Sequence, residues 1–255
     1  MPDNHYLHPR LVEVYDFDSP WSVDRDFYLN LAGASPLTIL DLGCGTGILS
    51  LAYANEGHRV TGVDPAGEML RRAREKDDNH SVEWIECAAQ DFRSDKRFDL
   101  IIMTGHAFQV LLTDADILST LNVMRKHLAP AGRIAFESRN PAIDWTGNWN
   151  YRIALECPHG RVVETRRLIE RKDELLSFEL IYEFEDETLV SASALRFPRC
   201  ARVIELLAAS GLRVVKILGD WDHAPFDEAT SREMIFIVTE ESTGQATESP
   251  IILCD

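Results

Sequence analysis

The sequence predicts an α/β protein in which a doubly wound, mostly parallel sheet carries an inserted antiparallel sheet. Three observations predict it. Between residues 37 and 139, short apolar runs suited to buried strands alternate with helix-compatible stretches, the signature of βαβ units. From about 140 to 198 the pattern changes to charge-interleaved alternation, as in strands that bury one face only. From 199 the earlier rhythm returns and runs to about 240. The chain therefore divides into an N-terminal segment 1–36, a sheet domain of 37–139 and 199–240, an insertion 140–198 and a tail 241–255.

The first element organises the others. Leu37 to Leu42 can form a buried strand, and Asp41-Leu42-Gly43-Cys44-Gly45-Thr46-Gly47 follows into helix-compatible residues Ile48 to Asn55. Glycines at such a turn accept φ > 0 and let backbone approach a ligand without a Cβ in the way. The helix beginning there aims free N–H groups and the positive end of its dipole at the same spot. A dinucleotide fingerprint would need a third glycine at 48 or 50, where Ile48 and Ser50 stand. Asp41 is moreover a poor neighbour for a pyrophosphate and a good one for an amino group or a sulfonium.

This D-x-G-x-G-x-G pattern resembles the first motif of class I S-adenosylmethionine-dependent methyltransferases. The resemblance implies a Rossmann-like seven-stranded sheet with an antiparallel last strand, and S-adenosyl-L-methionine held by Asp41, Gly43, Cys44, Gly45 and Gly47. On that resemblance Tyr15 and Trp21 in the N-terminal segment are lid residues, with Tyr15 over the cofactor, or else aromatics that pin the segment to the core; Asp24 to Ala32 suits a helix there. A second strand, His58 to Asp64, ends in an acid 21 residues after Gly43, where a carboxylate reaches the two hydroxyls of a ribose. Pro65 suits the first turn of the next helix, which runs to about Lys76. After a third strand, Ser81 to Cys87, the resemblance sets Asp91 on the adenine amine, with the Phe92 N–H and ring beside it.

The fourth strand, Phe98 to Met103, is apolar apart from Asp99, close to what a strand buried on both faces should show. Ligands in such sheets lie beyond the carboxyl ends of the strands at the switch in strand order. The loop Thr104-Gly105-His106-Ala107-Phe108-Gln109 falls there, with Thr104 on the cofactor side, His106 as the candidate catalytic base and Gln109 facing substrate. Histidine is the side chain that most readily exchanges a proton near neutrality. Thr113 and Asp116 form a capping pair for a helix to Leu128, and Arg133 to Ser138 is a fifth strand with Glu137, Ser138, Arg139 and Asn140 at its mouth. Arg139 and Asn140 join Gln109 as candidate substrate contacts.

In the insertion, segments 161–170, 174–185 and 187–197 predict a three-stranded meander with polar turns. It either covers the substrate side of the crevice or forms the surface of a homodimer. Arg199 to Ser210 is a helix ended by Gly211, and Leu212–Leu218 and Glu233–Thr239 are the last strands. Between them Asp220, Trp221 and His223 are further candidate substrate residues. The tail from Glu241 is rich in Ser, Thr and Glu.

Composition narrows the partners. Net charge is −16 with pI about 4.9, so the surface repels phosphate backbones and nucleic acid is not expected as a partner. No N-P-P-Y box follows the fourth strand, which argues against an enzyme that methylates DNA amines. The five cysteines are dispersed, without a C-x-x-C pair, so no metal site or disulfide framework is expected. No apolar run approaches the length of a membrane span, and the start is no signal peptide, so a cytoplasmic protein is expected. The reading is methyl transfer from S-adenosylmethionine to a small-molecule N or O nucleophile, chiefly by positioning. A non-catalytic protein binding the same cofactor, or a nicotinamide-dependent oxidoreductase, is the alternative.

Overall fold

The structure, a computed structural model, describes residues 3–157 and 160–241. Three helices precede the first strand: α1 (Asn4–Leu7), α2 (Pro9–Asp18) and α3 (Val23–Ala32). Then follow β1 (Thr38–Leu42), α4 (Ile48–Asn55), β2 (Arg59–Asp64), α5 (Gly67–Lys76), β3 (Val82–Glu86), β4 (Phe98–Met103), α6 (Asp114–His127) and β5 (Leu128–Arg139). The insertion holds β6 (Asn150–Cys157), β7 (Gly160–Lys172), β8 (Leu175–Glu183) and β9 (Thr188–Arg196); α7 (Cys200–Ala209), β10 (Leu212–Leu218) and β11 (Glu233–Glu240) close the chain. The tail expected from 241 onward lies, after Glu241, outside the described residues.

The main sheet has seven strands in the order β10-β11-β5-β4-β1-β2-β3. β11 runs antiparallel to both its neighbours, while the β1, β2, β3, β4 and β5 pairings are parallel. Strand order reverses between β1 and β4, so a crevice opens at their carboxyl ends. Period-two alternation sorts the side chains of β1. Leu40 and Leu42 join Leu121 and Met124 of α6 and Leu207 of α7 on one face. Ile39 joins Phe27 and Tyr28 of α3 and Tyr53 of α4 on the other. Asp41 shares that second face, where Ser50 of α4 donates to it.

The insertion departs from expectation by one strand. The edge strand β6 precedes the three predicted, and most of its residues are exposed or half-buried, so no buried period marks it. The sheet buries one face, with Val162, Phe178, Leu180 and Tyr182 packed on Trp145, Trp149 and Leu11 and Val14 of α2. The polar N-terminal sequence thus conceals a working helix. Pro9 occupies its first turn, where the missing N–H costs nothing. Leu11 and Val14 face the insertion, while Val12 packs on Ala66 and Met69 of α5. So α2 is wedged between the two sheets, against the start of the helix that follows β2.

Candidate active site

The glycine loop is shaped by left-handed backbone and by close neighbours. Gly43, Gly45 and Gly47 have φ of 75°, 55° and 76°. A Cβ on Gly43 would lie 2.9 Å from the Cβ of Ala107, and one on Gly47 would lie 2.4 Å from the Trp84 ring. The Gly43 and Cys44 N–H groups both donate to the carbonyl of Val63, at 2.7 and 3.1 Å, tying the loop to the end of β2. Tyr15 is the neighbour above Gly45, and the Thr46 hydroxyl donates to Asp16 of α2. Lys76 of α5 bonds the same carboxylate at 2.8 Å. The N-terminal helix is therefore latched over the loop through Asp16.

Asp64 bridges this loop to α5. One carboxylate oxygen accepts from the Gly45 N–H at 2.9 Å and the other from the Ala66 N–H at 2.8 Å, and each keeps a lone pair. Burial pushes its pKa up, and those two N–H bonds oppose the rise. Asp41 is more extreme. It is 1% exposed; one oxygen accepts from the Ser50 hydroxyl at 2.6 Å and the other has no hydrogen-bond partner among the described residues. Burial, with Asp64 and Glu137 nearby, pushes it up to about 7. An orphaned buried carboxylate oxygen is costly unless a donor arrives. The side chains therefore fit a ligand carrying an ammonium group and a diol beside a glycine loop. Pro65 and Asp91 are exposed near this end, and Thr104 is half-buried with its carbonyl bonded to the Ala107 N–H.

A second group lies beyond β4 and β5. Glu137, fully buried, accepts from the His106 backbone N–H at 2.6 Å and from the Tyr28 hydroxyl of α3. Burial pushes its pKa up, against the pull of His106 and Tyr28. The His106 ring nitrogen Nε2 lies 3.0 Å from Oε2 of Glu233, the first residue of β11. His106 itself sits at φ 61°, a left-handed conformation unusual for a side-chain-bearing residue. Asp41, Asp64, Glu137 and Glu233 thus ring the crevice with carboxylates. Each of these groups, when ionised, favours a cation beside it.

Several expected contacts are corrected by packing. The Phe92 ring is 1% exposed and packs on Phe98 and His127, so it belongs to the core and cannot cover an adenine. Gln109 is fully buried, its amide spent on the Arg196 carbonyl at 2.8 Å and on Arg139 at 2.9 Å; it pins β9 to the loop after β4. Asn140 is 1% exposed and bonds the carbonyls of Glu228 and Ser231 and the Ala142 N–H, so it organises the loop before β11 rather than facing substrate. Trp221 and His223 lie on Phe27 of α3, with ring centroids 5.7 and 4.9 Å away, and Asp220 is an exposed turn residue bonding the Trp221 N–H. Arg139 is half-buried against Trp145 and Trp149. Glu233, Tyr28 and Asp16 were given no role by the sequence. Their partners are distant in sequence: Thr46 and Lys76 for Asp16, Glu137 for Tyr28 and His106 for Glu233.

Comparison with known proteins bears on this geometry. A family profile described as a methyltransferase domain matches residues 39–132. The chain is 28% identical over 247 residues to the cypemycin N-terminal methyltransferase of a Streptomyces species, covering 94% of this chain and 100% of that one. It resembles in fold an S-adenosylmethionine-dependent methyltransferase from Clostridium acetobutylicum (TM-score 0.76, 15% identity, 91% and 98% of the two chains). It also resembles CalS10, an amino pentose methyltransferase from Micromonospora echinaspora solved with S-adenosylmethionine bound (TM-score 0.69, 21% identity, 89% and 96%).

Proposed function

We propose that the chain is a class I S-adenosylmethionine-dependent methyltransferase and that it methylates a nitrogen of a small-molecule amine. One observation carries the choice of nucleophile: Glu137, near the carboxyl end of β5, and Glu233, at the start of antiparallel β11, flank His106, and an ammonium group would be drawn to that acidic corner. The relative named for the N terminus of cypemycin and the neighbour named for an amino pentose agree with an amine acceptor.

When bound, S-adenosylmethionine supplies an electrophilic methyl group on a sulfonium centre. Asp41 would hold its ammonium group, Asp64 its ribose hydroxyls and Asp91 its adenine end, with Gly43, Cys44, Gly45, Gly47, Pro65 and Thr104 lining its place and Tyr15 above. In the tautomer with Nε2–H donating to Glu233, His106 presents Nδ1 as a proton acceptor. The Glu137 bond to the His106 N–H fixes the loop that carries it. Holding nucleophile and methyl group in line removes up to about 7–11 kcal/mol of barrier, and a placed base adds about 10²–10⁴-fold. The small sheet, docked through Gln109 and α2, would close the substrate side. The test is incubation with methyl-labelled cofactor and a metabolite extract. Label in N-methyl products supports the reading, and label confined to O-methyl or C-methyl products overturns it.

Two ligand-binding results are expected. Asp64→Ala should weaken S-adenosylhomocysteine binding by about 1.5–3 kcal/mol, roughly 10- to 150-fold, by calorimetry. An unchanged affinity would remove Asp64 from the cofactor site. For Asp41 the expectation is a pH dependence. Its carboxyl faces Ser50 and Tyr53 of α4, Cys44 of the loop, Asp64 at the end of β2 and Glu137 of β5. A carboxyl held up to about 7 keeps its proton where the unfolded chain would lose it. The unliganded protein accordingly loses stability as pH rises from the ordinary carboxylate range towards 7. An arriving ammonium favours the ionised form and releases that proton. Affinity for S-adenosylhomocysteine should rise by up to about tenfold between pH 6 and 7 and level off above, and Asp41→Asn should flatten the profile.

A further inference from the structure

We propose that Arg139 and Arg166 form an oxyanion subsite in the crevice, which holds a carboxylate carried by the amine substrate. The proposal deepens the amine reading and rests on it for the identity of the ligand, though not for the existence of the subsite.

Arg139 ends β5, and Arg166 lies mid-way along β7, paired with Tyr151 and Leu180 of the adjoining strands. Both guanidinium groups sit on the buried Trp149 ring, at 5.5 and 5.3 Å from its centroid. Arg139 also leans on Trp145, and Arg166 on Tyr151 and Phe178. Each guanidinium carries five N–H donors, and few of these are spent. The Arg139 side chain gives one hydrogen bond, to the Gln109 amide oxygen at 2.9 Å, and makes no ion pair among the described residues. Among the described residues Arg166 has a single distant acid, Glu164 at 3.7 Å, and its buried Nε has no partner.

Glu164 is a poor counter-charge. It is itself fully buried, occupied by the Tyr151 hydroxyl at 2.6 Å, and pushed up to about 7 by burial and by Asp18. Burial also works against the charge of Arg139, and the charge of Arg166 adds to that. Contact with aromatic faces explains why cations are tolerated there, since cation–π attraction offsets part of the desolvation. It leaves the in-plane N–H groups unanswered.

Three other arginines show the pairing that the chain's acids can give. The chain has 42 acidic against 26 basic residues, so acids are plentiful. Arg10 pairs with Asp186 and Glu187, Arg196 with Asp114 and Glu174, and Arg202 with Asp114 and Glu205. Only an external acid would complete Arg139 and Arg166 in the same way. The place fits as well. Arg139 lies within electrostatic reach of Glu137 and Glu233 on one side and of Arg166 and Tyr6 on the other. Tyr6 in turn is reached by Tyr15 and Asp64 from the glycine-loop side and by Arg166 from the insertion side. A substrate whose amine faces Glu233 and His106 would extend its other end towards the two arginines. A planar guanidinium receives a carboxylate through two parallel bonds, which a neutral amide cannot copy.

Calorimetry on the full chain loaded with S-adenosylhomocysteine tests the subsite with amine-free acids: propionate, phenylacetate and hippurate, each against its neutral amide. At least one acid should bind 10-fold or more tighter than its amide. Arg166→Gln and Arg139→Gln should each erase that preference while S-adenosylhomocysteine affinity stays within about twofold, and Arg166→Lys should keep part of it. If no acid outbinds its amide in the wild type, or if the preference survives in both glutamine variants, the subsite does not exist. Because the probes lack an amine, neither outcome depends on the amine reading, which the labelled-methyl assay tests separately.

Discussion

Gly47→Ala is expected to lower the unfolding free energy by roughly 2–4 kcal/mol. Gly47 caps α4 in the left-handed region at φ 76°, where an L side chain costs about 1–2 kcal/mol. The new Cβ would also meet the Trp84 ring at 2.4 Å and the Ala73 Cβ at 3.0 Å. Overpacking of that kind typically costs about 1–3 kcal/mol. Trp84 cannot easily yield, because its indole N–H donates to Asp77 at 3.0 Å. Thermal denaturation should report a fall in Tm of about 5–15 °C. Gly45→Ala is the control: its φ is 55°, but a Cβ there meets nothing closer than Tyr15 at 4.0 Å, so only the backbone strain should register. Trp84→Leu should recover part of the loss in the Gly47→Ala background. Equal losses for Gly45 and Gly47 would mean that backbone strain alone dictates these glycines.

The two glycine results bear on what a sequence motif encodes. The D-x-G-x-G-x-G pattern was legible because its residues are local, and strand, loop and helix succeed one another within a few turns of chain. Yet Gly47 is required for a reason the motif does not contain, the indole of Trp84 arriving from β3. Strand limits such as Phe98–Met103 were legible because strands buried on both faces read as nearly continuous apolar runs, here broken only by Asp99. The capping pair Thr113 and Asp116 was legible for the same local reason, and both halves of the box form. Edge strand β6 and helix α2 were not. The first buries too little to show a period, and the second divides its apolar residues between two partners, Leu11 and Val14 on one and Val12 on the other. Substrate-side residues were the least legible. Gln109 and Asn140 stand at strand mouths in sequence, but tertiary packing spends their amides on carbonyls from β9 and from the loop before β11. Glu233 shows the converse: an unremarked strand-initial acid becomes the partner of His106 only because β11 lies antiparallel beside β5.

That partnership sets the last expectation. His106→Ala should lower kcat about 10²-fold or more on an amine substrate, while S-adenosylhomocysteine affinity stays within a few-fold. The reasoning is geometric. Glu137 holds the His106 backbone at 2.6 Å and Glu233 holds its Nε2 at 3.0 Å, so the imidazole is fixed from both ends at the crevice edge. A ring fixed in that way, with Nε2–H turned to Glu233, keeps Nδ1 free to take a proton. Glu233→Gln preserves a hydrogen-bonding partner but no longer dictates the tautomer, so a smaller loss of about 10-fold is expected. A purely structural histidine makes a different pattern, because its loss would disturb folding and cofactor affinity together with kcat. Added imidazole separates the two further: it should restore part of the rate in His106→Ala if the ring's role is proton transfer, and none if it only props the loop. A variant with near-normal kcat would leave catalysis to positioning alone.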